Sequence, residues 1–161
     1  MRINIDGKWQ FYKTYHDKDY IQSHDTRKHV TLKEKRETSE YRLHNISEKE
    51  IIVYRIDGGL IASNEQKKCD YGIYTEQDVL YLIELKGGDY ITALEQILNT
   101  IEILLVKPRI AVQQMNVRVV LSKYRVPDLL SSQEKKLNMM LKTKYGKGSI
   151  LKQTRKLEDT I

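Results

Sequence analysis

Residues 79–86 restrict the fold more than any other stretch of the chain. Val79, Leu80, Tyr81, Leu82 and Ile83 run together, and Glu84, Leu85 and Lys86 follow before Gly87 and Gly88. In a strand, successive side chains point to opposite faces. This strand is therefore apolar on both faces until its end, and it must be central and covered on both sides. Residues 51–57 read as a strand that Gly58-Gly59 closes, and 69–74 as a second strand joined to 79–86 by a hairpin loop over 75–78. Asp89 reads as the N-cap of a helix over 90–105. Leu94, Ile97, Leu98, Ile101, Leu104 and Leu105 form its apolar stripe, and Lys107-Pro108 closes it. Residues 117–123 make a fourth strand, ended near Pro127. Ser131 or Ser132 caps a helix over 133–145 that Gly146 terminates, and a last strand is expected around 149–153. The order βββαβα describes an α/β fold, a single mixed β-sheet flanked by helices.

Size fits one domain: 161 residues and 19.0 kDa. The domain carries a polar N-terminal segment (about 1–48) and a basic C-terminal segment (about 131–161). The single cysteine, Cys69, excludes an intrachain disulfide framework and a zinc site built on several cysteines. No stretch approaches the roughly 20 apolar residues of a membrane span, so a cytoplasmic protein without a membrane partner is expected. His16, His24, His29 and His44 all lie in the N-terminal segment at spacings that fit no compact metal motif, and they read as surface residues. Segment 24–42 shows no clear apolar stripe, and it reads as a helix against the body or as a mobile arm. The net charge is +6, and the last 31 residues hold eight Lys/Arg against three Asp/Glu. A basic end on a near-neutral body suits a phosphate-rich partner and equally a solvated lysine face.

The chemistry-bearing constellation is Glu84-x-Lys86. Residues i and i+2 of a strand share a face, so the carboxylate and the ammonium project together at the end of an apolar strand. Charges there are costly without a compensating role. Pairing of 69–74 with 79–86 brings Asp70 beside Glu84. Two carboxylates at that range need a proton or a cation between them, and oxygen ligands of this sort suit Mg²⁺. A neighbouring lysine suits a phosphate, or a water that must lose its proton.

Asp70, then Glu84-x-Lys86 on the next strand, then Gly87-Gly88 and an amphipathic helix, resemble the PD-(D/E)xK nuclease superfamily over roughly residues 51–123. The resemblance implies a restriction-endonuclease-like core (αβββαβ) and a metal-dependent nuclease that hydrolyses nucleic-acid phosphodiester bonds, with DNA favoured over RNA. It implies Asp70 and Glu84 as ligands of Mg²⁺ (or Mn²⁺) and the backbone carbonyl of Leu85 as a third ligand. It further implies Lys86 as the catalytic base or water-orienting group. The alternative is a catalytically inactive module of the same fold that binds nucleic acid or a protein partner. Cys69 stands where the motif has proline. Gln96 matches the glutamine some members carry on the following helix, but Thr100 stands where their tyrosine would be. Many members of the superfamily also use a glutamate from the first helix, and Glu37, Glu40, Glu48 or none of them can fill that role here. A homodimer suits an enzyme that cuts both strands.

Other residues carry weaker expectations. Asp57 reads as a turn aspartate before a glycine pair or as an accessory ligand, and Arg55 as a phosphate contact or a surface charge. Lys67, Lys68, Lys142, Lys144 and Lys147 are candidate nucleic-acid contacts. Cys69 is expected on the strand face opposite Asp70, as a small core residue. Eleven tyrosines accompany one phenylalanine and one tryptophan. Tyr71, Tyr74, Tyr81 and Tyr90 fall near the proposed site, where they read as core edges in preference to base-stacking platforms.

Overall fold

The computed structural model describes residues 9–34, 38–85, 89–122 and 131–161. It is α/β, with a mixed six-stranded sheet. The strands are β1 (Ile21–Asp25), β2 (His29–Lys33), β3 (Glu40–His44), β4 (Ile51–Arg55), β5 (Tyr71–Thr75), β6 (Val79–Glu84), β7 (Gln114–Leu121), β8 (Ile150–Thr154) and β9 (Lys156–Thr160). The helices are α1 (Gln10–Thr14), α2 (Tyr90–Ile101), which runs on into a π-helical turn over Glu102–Val106, and α3 (Ser132–Lys144).

The large sheet has the order β1-β4-β5-β6-β7-β8. Its first four strands are antiparallel to their neighbours, and β6, β7 and β8 run parallel. Parallel neighbours need a crossover, and α2 and α3 supply the two required. As expected of a central strand, β6 is buried on both faces. Its even side chains Leu80 and Leu82 meet Leu94, Ile97, Ile101, Leu137 and Leu141 of the helices, and its odd side chains Tyr81 and Ile83 join a second core.

That second core corrects the expectation of a single sheet flanked by helices. β2, β3 and β9 form a separate three-stranded sheet, with β9 parallel to β3. Val30, Leu32, Tyr41, Leu43 and Leu157 turn inward from it onto the face of the large sheet that the helices leave uncovered. Segment 24–42 is thus neither helix nor arm over its described residues. Its apolar residues repeat every second position, which gives the alternating burial of β2 and β3 and no helical stripe.

Arg118 fastens the two sheets. The side chain is buried on β7, and its Nε donates to Asp159 Oδ2 of β9 at 2.6 Å. The Tyr41 hydroxyl donates to the same oxygen at 2.7 Å, and Arg118 Nη1 also donates to the carbonyls of Val117 and Ser149.

Local signals set the helix ends. Asp89 Oδ1 accepts the Ile91 N–H at 3.0 Å, and Ser131, not Ser132, caps α3 by accepting the Glu134 N–H at 3.1 Å. After α3, Gly146 takes φ +65°, and a Cβ there would sit 2.2 Å from the Gln113 carbonyl oxygen. Only glycine turns the chain back toward β8 at that point.

Candidate metal and phosphate site

Glu84 is the last residue of β6, and Asp70 directly precedes β5. Tyr71 pairs with Ile83, so Asp70 and Glu84 each stand one residue beyond the last pair of the β5–β6 ladder. Glu84 takes the helix-covered face, because Leu82, two residues before it in β6, lies in the helix-side core. Both carboxylates are buried, at 1% and 0% exposure.

Asp70 is held from two directions. Its Oδ2 accepts the Leu85 N–H at 2.9 Å, which ties the carboxylate to the strand carrying Glu84. Its carbonyl accepts the N–H groups of Ile56 and Asp57, which extends the β4–β5 ladder. The residues before it are clamped to α2. Asn99 donates to the Lys67 carbonyl, Gln96 Nε2 to the Lys68 carbonyl at 3.2 Å, and the Cys69 N–H to Thr100 Oγ1 at 2.9 Å. Gln96 therefore meets the backbone leading into Asp70. Thr100 is a buried polar residue among the apolar residues of α2, and this polar break in the stripe is the sequence signal for its role. Thr100→Val keeps the shape and removes the acceptor for a buried N–H. Such a loss costs about 1–3 kcal/mol. The thermal unfolding midpoint should fall by about 2–12 °C at this chain length, and an unchanged midpoint in calorimetry would contradict the clamp.

Cys69 does not take the face opposite Asp70. β5 begins only at Tyr71, so strand alternation does not reach back to Cys69, and the thiol packs in the helix-side core. Burial pushes the thiol pKa well up, and the charges of Glu84 and Asp70 push it further. One sulfur thus feels both carboxylates.

The other anticipated residues scatter. Lys86 and Glu37 lie outside the described residues. Lys68 is buried, with Nζ donating to the Ser63 carbonyl and 3.7 Å from Asp57 Oδ1, so Asp57 and Lys68 face each other beside the Asp70 backbone. Lys67 is exposed and pairs with Glu95 at 2.6 Å. Arg55 lies over the Tyr71 ring and 3.8 Å from Glu34, on the other face of the sheet. Glu40 pairs with Arg42 within the small sheet, and Glu48 with Lys28. Lys142, Lys144 and Lys147 are exposed, but they cluster at the far end of the large sheet. There Tyr145 accepts from the Met115 N–H, next to Gln114, which pairs with Val79 at the start of β6. About five residues of strand, roughly 17 Å, separate that end from Glu84. Tyr71, Tyr74, Tyr81 and Tyr90 are all buried, which suits core edges and leaves no stacking platform among them.

The donor set at Asp70 and Glu84 is hard oxygen, which suits Mg²⁺ or Mn²⁺ over softer metals. Among the described residues no group of three or more His, Cys, Asp or Glu gathers. That is compatible with Mg²⁺, which commonly uses one or two carboxylates and keeps several waters. The Leu85 carbonyl follows the pair directly in the chain. The chain matches no family model, no curated protein and no solved structure.

Proposed function

We propose that the chain is a metal-dependent nuclease with a restriction-endonuclease-like core, acting on nucleic-acid phosphodiester bonds and on DNA in preference to RNA. The observation that carries this reading is a pair of buried carboxylates at the end of a central strand, Glu84 closing β6 and Asp70 bonded to the next residue, Leu85, through its N–H. Asp70 and Glu84 would hold Mg²⁺ or Mn²⁺, with the Leu85 carbonyl as a third ligand. When bound, the cation supplies Lewis-acid polarisation of the phosphate and a more acidic water. The Leu85 N–H fixes the Asp70 carboxylate, so the ligand is oriented before substrate arrives. Lys86 follows Glu84 by two residues in the chain. It would orient the attacking water or take its proton.

Incubation of supercoiled plasmid, single-stranded DNA and RNA with the protein tests the reading. Cleavage is expected in Mg²⁺ or Mn²⁺, strongest on DNA, and none in excess chelator. Binding without cleavage under every metal condition would leave only a binding module.

A further inference from the structure

A second charged cluster stands beside the proposed metal ligands. Glu134, in the first turn of α3, is buried, and the Tyr90 hydroxyl at the start of α2 donates to its Oε1 at 2.7 Å. Lys152 of β8 brings Nζ to 3.2 Å from the same oxygen and to 4.5 Å from the centre of the Tyr90 ring. Three elements far apart in sequence thus meet at one ammonium.

The sheet fixes where that ammonium lies. Glu84 pairs with Val119, and Val119 pairs with Lys152. Glu84, Val119 and Lys152 therefore form one row across three strands, with Asp70 bonded to Leu85 at the end of that row. Val119 belongs to the helix-side core, as does Ile150, two residues before Lys152, so Lys152 rises on the same face as the Glu84 carboxylate. Neighbouring strands are about 4.8 Å apart, which puts the Lys152 backbone about 10 Å from that of Glu84.

The chemistry of the cluster favours an anion. An ammonium has three N–H donors and no acceptor, and the contact with Glu134 occupies one of them. The side chain of Lys152 keeps 30% exposure while that of Glu134 keeps 7%. The carboxylate and the aromatic face hold the cation in place, and part of it still meets solvent. A phosphodiester strand whose reacting phosphate sits at Asp70 and Glu84 would carry a further phosphate within reach of such a cation.

We infer that Lys152 is a backbone-phosphate contact that seats the nucleic-acid strand beside the Asp70–Glu84 pair, with Glu134 and Tyr90 as positioning residues for its ammonium. The inference rests on the nuclease reading of that pair, and its test does not depend on turnover. Binding of a short DNA duplex is measured in chelator by fluorescence anisotropy over a range of salt. The proteins are wild type, Lys152→Met, Lys152→Arg and the Glu134→Gln/Lys152→Met double variant, each with its thermal unfolding recorded. Lys152→Met should weaken binding several-fold and reduce the slope of log K against log salt by about 0.9. Lys152→Arg should restore the slope. The double variant removes both charges of the pair, so it separates a lost contact from a stranded carboxylate, and it should bind like Lys152→Met. An unchanged slope in a folded double variant would make Lys152 only the partner of Glu134 and overturn the inference, as would a wild-type protein that binds no DNA. A wild-type protein that binds through Lys152 but cleaves nothing in Mg²⁺ or Mn²⁺ would sink the nuclease reading and leave the phosphate contact standing.

Discussion

Lys86→Ala is expected to lower the single-turnover cleavage rate by about 10²–10⁴-fold, the usual worth of a positioned proton acceptor or water-orienting group. DNA affinity in chelator should stay close to wild type, because the role belongs to the transition state and not to binding. Glu84 ends a strand buried on both faces, and Lys86 follows it by two residues in the chain. A variant that cleaves at nearly the wild-type rate would remove Lys86 from the chemistry. One that loses binding in proportion would make it a phosphate contact.

The second large effect concerns the joint between the sheets. Asp159→Ala strands the buried Arg118 guanidinium, which sits beneath β9 with its Nε 2.6 Å from the lost carboxylate. It also deprives the buried Tyr41 hydroxyl of its acceptor. Breaking one side of a buried pair costs about 3–5 kcal/mol, so the unfolding midpoint should drop by about 6–20 °C at this chain length. Replacing both partners, as Arg118→Met with Asp159→Leu, should recover much of the loss, since no uncompensated charge remains. Calorimetry on the single and double variants checks both statements. A single variant as stable as wild type would mean that apolar contacts alone hold the small sheet.

Much of the architecture around the site was legible because it depends on local patterns. The apolar run of 79–83 reads as a central strand, Asp89 as a cap, and the 75–78 loop as the hairpin that joins β5 to β6. The small sheet escaped because His29–Lys33 and Glu40–His44 hide their alternation among charged residues. Its third strand, β9, comes from the other end of the chain, and no local signal announces a parallel pairing of 40–44 with 156–160. The same limit applied to charge. The sequence groups Lys142, Lys144, Lys147 and Lys152 into one basic segment, yet the chain after α3 turns and runs along β8 before it reaches Lys152. The first three lie toward the start of β6, and Lys152 lies in the row of Glu84. Cys69 was misplaced for a smaller reason: strand alternation was extended two residues before the strand begins.

The central claim is that Asp70 and Glu84 together hold the catalytic cation. Its most direct test is the Mg²⁺ and Mn²⁺ dependence of plasmid cleavage by wild type, Asp70→Asn and Glu84→Gln, with folding of each variant checked by thermal unfolding. Both substitutions keep size and remove the negative charge that binds a hard cation. Wild type should cleave with either metal and fall silent in chelator, and each folded variant should lose at least about 10²-fold in rate. Cleavage that survives chelator, or that either folded variant carries out at the wild-type rate, would contradict the account.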